Sequence, residues 1–359
     1  MVAISLLALL GVACGAVAKP GGWASPAEGD GLLLVSHKDE LFALDAETLD
    51  PEWGFPGATG DNDIDPVALY GAPARMGGTV FVPTYDGKLY AIDAEDGRLV
   101  WQEPFETDGP LIGGVAVSED TVYFGSDDGN VYAVDVDTGI ERWSFKTDDS
   151  IWSTPRLAGR AVYVTSQDGR LYALDTSGNE LWSFKTDAGI VASPVVDEAA
   201  GLVYVGGIDA KLRAIDLETH EERWSVKAGN WFWAEPQVSD GVVYAGSLDK
   251  KIYAVDVETG ERPWPEAFRA ESPVRSKVAI VNDDLLVFDR DGRVYQLDPA
   301  TGEPKSQAPL ELGGDVLSDP LVVAGETPAD AEVLVVTTDG ELVRIDPETL
   351  TVLGRQQLS

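Results

Sequence analysis

A single cysteine, Cys14, in 359 residues leaves this chain no internal disulfide to close. With two histidines, His37 and His220, it also lacks the Cys/His cluster that zinc or an iron–sulfur centre requires. Cations are scarce: 26 Lys and Arg stand against 62 Asp and Glu, a formal charge of −36. Such a surface repels phosphate backbones and anionic headgroups, which argues against nucleic acid as a partner and fits solubility or a salty habitat. Long apolar runs are confined to the start of the chain. What the chain has in plenty is glycine (38 residues) and tryptophan (ten), with 44% hydrophobic residues in all. That composition excludes disorder, and the length suffices for two ordinary domains or one large repeat-built domain.

Within the apolar run over residues 2–18, the core from Val2 to Ala13 has the length of a secretory leader and is short for a bilayer span. Gly11-Val12-Ala13-Cys14 resembles a bacterial lipobox, which implies a lipid anchor on Cys14 and attachment to a membrane. Ala16-Val17-Ala18 offers a competing cleavage site that would release a soluble protein beginning at Lys19, and an uncleaved anchor is the third alternative. Each of the three sets the folded part outside the cytoplasm. The expected organisation is a leader over residues 1–18, a short tether over 19–22 and one domain over 23–359.

That domain repeats. An apolar-Asp pair recurs at Asp45, Asp93, Asp135, Asp175, Asp216, Asp256, Asp298 and Asp346, spaced by 40 to 48 residues. A period near 42 with four strand-like segments per unit predicts an all-β, eight-bladed β-propeller of four-stranded antiparallel blades, and a monomer. In the clearest unit, residues 162–185, apolar and aromatic residues alternate as a half-buried strand requires. Asp-Gly pairs at 86–87, 128–129, 168–169, 291–292 and 339–340 supply tight hairpin turns. Xaa-Pro steps at Pro26, Pro155, Pro194, Pro236 and Pro320 suit strand starts. Tryptophan follows the repeat aspartate by eight residues at Trp53, Trp101, Trp143, Trp224 and Trp264, and by seven at Trp182. Six rings at one place in the repeat are expected to wedge against neighbouring sheets.

The string from Ala133 to Trp143, A-x-D-x-x-T-G-x-x-x-W, with its counterpart from Ala254 to Trp264, resembles the tryptophan-docking motif of PQQ-type propellers. The resemblance covers about residues 23–359 and has two branches. Quinoprotein alcohol dehydrogenases hold PQQ and calcium in the propeller channel beneath a disulfide of adjacent cysteines. With Cys14 as the sole cysteine that disulfide is absent, and catalysis and a PQQ or calcium cofactor are not expected here. Asp61-Asn62-Asp63-Ile64-Asp65 begins like a calcium loop but meets Pro66 where glycine is needed, and reads as a solvated acidic loop. His37 and His220 read as turn residues. The second branch, BamB-like lipoproteins, implies a non-catalytic platform that docks a protein partner in the cell envelope.

Partner contacts in that branch lie on segments leading into the innermost strands, here 146–155, 227–236 and 270–273. Counting back three from the strand proline gives Trp23, Trp152 and Trp233, with Asp63, Val191, Ala270 and Leu317 at the corresponding place of other units. Trp231 and Phe232 adjoin. Equivalent positions in blades share a ring, so these aromatics should gather at one mouth of the channel, with Arg156 and Arg275 beside them. That makes a Trp- and Arg-rich binding patch for a protein, or for PQQ or a glycan. The competing reading is that they plug the channel. Three consecutive aromatics cannot all face inward along a strand, so exposure is expected for 231–233.

Overall fold

The structure is a computed structural model that describes residues 22, 24–57, 64, 67–325, 327 and 330–358. Cys14 and Trp23 lie outside these residues, as do four of the five residues of the Asp61–Asp65 loop. Among the described residues the chain forms eight four-stranded antiparallel sheets, each built from four consecutive strands. It is a β-propeller.

Blade 1 shows the pattern: β1 (Ala27–Gly29), β2 (Leu32–His37), β3 (Glu40–Asp45) and β4 (Pro51–Phe55), in that order across the sheet. The first strands of the other blades are β5 (Ala74–Met76), β9 (Ala116–Val117), β13 (Arg156–Ala158), β17 (Val195–Asp197), β21 (Gln237–Ser239), β25 (Ala279–Val281) and β29 (Leu321–Val323). First strands of neighbouring blades touch, as β1 with β5, β5 with β9, β13 with β17, β21 with β25 and β25 with β29, and β29 touches β1, so they surround a central axis and the ring is closed. Closure is by packing: Leu33, Val35 and Leu44 of the first blade form one apolar cluster with Leu334, Val336, Leu342 and Leu358 of the last.

The second strands depart from the expected half-burial. In blade 4, Ala161–Thr165 is buried on both faces, because a blade is sandwiched between two neighbours and so has no solvent face near the axis. Exposure appears at the fourth strand, where Glu141–Lys146 and Glu180–Lys185 alternate or lie open. A β-bulge recurs between third and fourth strands next to the repeat aspartate, as at Ala133/Val134, Ala173/Leu174 and Ala214/Ile215. The Asp-Gly turns form as expected, with Gly87, Gly129, Gly169, Gly292 and Gly340 at φ between 79° and 85°.

The repeat tryptophans dock as expected. Five of the six donate the indole N–H to the carbonyl that follows the repeat aspartate of the next blade: Trp53 to Ala94, Trp101 to Val136, Trp143 to Thr176, Trp224 to Val257 and Trp264 to Pro299, at 2.8–2.9 Å. The turn glycine of that next blade lies under the ring, and a Cβ at Gly139 or Gly302 would come within 3 Å of Trp101 or Trp264. In blade 5 His220 takes the glycine's place at φ 61° and stacks flat on Trp182, centroids 4.7 Å apart.

Candidate functional site at the channel

Each connection into a first strand follows one rule. Its carbonyl five residues before the strand-start position accepts an N–H from the β2–β3 type turn of its own blade, as Ser150 does from Gln167 and Trp231 from Leu248. The next residue turns into the sheet interface. Leu69, Leu111, Ile151, Ile190, Phe232, Val274 and Val316 occupy this place and are buried. Its N–H bonds the preceding blade, as Phe232 N does Gly207 O. Phe232 is therefore a core anchor and not a surface contact: it has no exposed area and packs edge-on against Tyr253. The 231–233 segment is a loop, and its side chains alternate between half-buried, buried and half-buried.

The residue after the anchor points toward the axis. Here the structure corrects two equivalences. The first-strand proline of blade 2 is Pro73, not Pro66, because the connection from blade 1 is long, so the axial residue is Tyr70 and not Asp63. Blade 7 enters its first strand through Val278 without a proline, so its axial residue is Arg275 and not Ala270. The axial set thus contains Tyr70, Ile112, Trp152, Val191, Trp233, Arg275 and Leu317.

Several of these meet across the channel. Trp152 and Trp233, two blades apart, are 6.3 Å between centroids at 56°. The Arg275 guanidinium sits 4.5 Å over the Trp233 ring, a cation–π contact. Tyr70 packs on Tyr85 at 5.1 Å and faces Arg275. Burial pushes the Tyr70 hydroxyl up to about 12, and burial together with Arg290 pulls Arg275 down to about 10. Trp152 donates its indole N–H to Asp127 at 2.7 Å. Trp152 and Trp233 meet in the channel, and Trp152, Trp231 and Trp233 are half-buried.

Arg156 does not join this cluster. It opens β13, farther along the channel, and pairs with Glu235. At that level a belt of hydrogen bonds links successive blades: Gly114 N–H to Thr154 Oγ1, Thr154 N–H to Ser193 Oγ, Lys277 N–H to Asp319 Oδ1 and Asp319 N–H to Ser25 Oγ, at 2.7–3.0 Å. Tyr70, Tyr85, Lys277 and Asp319 were not singled out from the sequence. Tyr70 was legible once the connections were aligned on their buried anchor instead of on proline.

An eight-bladed ring whose repeat tryptophans dock across the blade boundaries places the chain in the class of PQQ-like propellers. The chain matches the family described as outer membrane protein assembly factor BamB over residues 13–110, 104–200, 176–319 and 271–358, and belongs to it. It is 26% identical over 305 residues to the polyvinylalcohol dehydrogenase of Sphingopyxis sp. (strain 113P3), covering 79% of this chain and 44% of that protein. It is 35% identical over 153 residues to BamB of Burkholderia pseudomallei, covering 41% of this chain and 39% of that one. The chain spans about half or less of the length of these curated relatives. The crystal structure of BamB from Moraxella catarrhalis superposes with a TM-score of 0.74 at 19% identity, over 89% of this chain and 95% of that one, a likeness of fold.

Asp127, whose carboxylate reaches the aromatic cluster, is engaged by Trp152. Among the described residues no group of three or more His, Cys, Asp or Glu is placed to hold a metal ion.

Proposed function

We propose that this chain is a non-catalytic scaffold of the cell envelope, tethered through Cys14, that docks a protein partner on the channel mouth carrying Trp231 and Trp233. The observation that carries the reading is Trp231. Its structural counterparts, defined by the same backbone hydrogen bond, are Ala68, Pro110, Ser150, Gly189, Pro273 and Asp315. The fold asks for nothing large there, yet blade 6 carries a half-buried indole two residues before Trp233 of the Trp152–Trp233–Arg275 cluster. Tryptophan and arginine together supply much of the energy in protein interfaces. The BamB relatives are outer membrane protein assembly factors, which agrees with such a role.

Replacing Trp231 by alanine is expected to reduce recovery of the main partner from native membranes several-fold, with the unfolding midpoint within a few degrees of the parent. Undiminished recovery with Trp231→Ala and Trp231→Ala/Trp233→Ala removes this surface from the reading. Purified chain supplied with PQQ and calcium is expected to show no dye-linked alcohol oxidation, and turnover would restore the enzyme reading.

A further inference from the structure

Beyond the aromatic cluster, near the starts of the first strands, the chain carries charge of both signs. Blade 4 presents Arg156 at the head of β13, and blades 6, 7 and 8 present Glu235, Lys277 and Asp319 two residues before β21, β25 and β29, with uncharged Ser193 at that place in blade 5. Arg156 binds Glu235 across blade 5, and Asp319 accepts the Lys277 backbone N–H. The Lys277 side chain lies close enough to favour ionisation of Glu235, yet among the described residues no ion pair engages its ammonium. An open cavity of about 700 Å³ reaches this throat, bounded by Leu157, Gly159, Val195, Glu235 and Gln237. A neighbouring one of about 350 Å³ shares Gln237 and extends to Lys277, Ile280 and Leu321.

We propose that this vestibule binds a small zwitterion of the α-amino acid class, its carboxylate held by Lys277 and Arg156 and its ammonium between Glu235 and Asp319. Charge complementarity selects the class. A simple anion entering the throat lies against two carboxylates, and a simple cation against two bases. A short dipole carrying both signs meets both pairs at once, with charge-assisted hydrogen bonds to each end. Glu235 adds support: burial holds its carboxyl above the ordinary value even with Arg156 and Lys277 nearby, so a further cation there is favourable. The chain is strongly acidic, yet two bases, Arg156 and Lys277, both act on Glu235; the residues equivalent to Lys277 in blades 1 to 5 are Ser25, Ala72, Gly114, Thr154 and Ser193, and no residue equivalent to Arg156 is charged.

The site is independent of the mouth tryptophans, and its test does not involve them. Titration of the whole chain by calorimetry with L-alanine, L-leucine and L-glutamate is expected to give saturable binding for at least one. N-acetylation or esterification of that amino acid should weaken binding about ten-fold or more, since each removes one charge-assisted contact. Lys277→Met is expected to weaken it comparably without moving the unfolding midpoint, and Glu235→Gln to weaken it while keeping a hydrogen bond to Arg156. No saturable binding by any of the three, equal affinity for the N-acetyl form, or unchanged affinity in Lys277→Met each overturns the proposal and leaves the charges as inter-blade ties.

Discussion

At the scale of single residues, the repeat divides its labour between a tryptophan and an aspartate. Trp101 is nearly buried and hydrogen-bonded across the blade boundary, whereas Trp182 is half-buried and covered by His220. Trp101→Ala is therefore expected to cost about 3–5 kcal/mol in urea unfolding and Trp182→Ala clearly less. Equal losses would mean that burial does not govern docking. The aspartates act locally. Asp45, Asp216 and Asp298 are held below the ordinary value first by backbone N–H groups of their own turns, Asp256 first by the Thr259 hydroxyl and then by its backbone N–H, and Asp346, against the opposing effect of burial, by the Thr349 hydroxyl and backbone. Asp135 goes further, to about 2, through Arg142 first and Thr138 next. A carboxyl depressed in the folded state adds stability above its unfolded value near 4, and that stability drains away as pH falls toward 2. The melting temperature should fall through this window, and Asp135→Asn should flatten the slope. A variant whose pH profile runs parallel to the parent's would contradict this account.

At the scale of elements, the connections into the first strands both join blades and present side chains. The buried anchor presses on a glycine of the preceding blade's second strand: a Cβ at Gly125 would stand 2.1 Å from Ile151 Cγ2, and one at Gly206 would stand 2.5 Å from Phe232 Cβ. Gly125→Ala and Gly206→Ala are each expected to destabilise by about 1–3 kcal/mol through overpacking, read as a lower urea midpoint. Indifference to the added methyl would show that the connections are loosely seated. This tight seating explains why Phe232 is unavailable to a partner while its neighbours are not. Alternation along 231–233 was legible in the sequence, but which member faced inward depended on the anchor rule, which proline counting obscured in blades 2 and 7.

At the scale of the whole molecule, a closed ring bears a charge of −36. Self-repulsion opposes compaction and is screened over about 10 Å at 0.1 M salt and about 3 Å at 1 M. The melting temperature should climb as sodium chloride is raised over that range. A flat profile would mean that the ion pairs already neutralise the surface, among them Arg142 with Asp120 and Asp135, and Arg344 with Glu332. Closure rests on side-chain packing between the first and last blades, reinforced by Asp319 N–H to Ser25 Oγ and Gln356 Nε2–H to Leu49 O.

The number of blades, the docking tryptophans and the hairpin glycines can be read from the order of residues alone, because each depends on residues spaced within one repeat. The tertiary structure alone decided what stands in the channel. Trp152 meets Trp233, Arg275 faces Tyr70, and Arg156 finds Glu235 79 residues away. Those pairs form because ring closure carries distant blades to a common axis, where connections of unequal length converge, and no interval along the chain encodes that convergence.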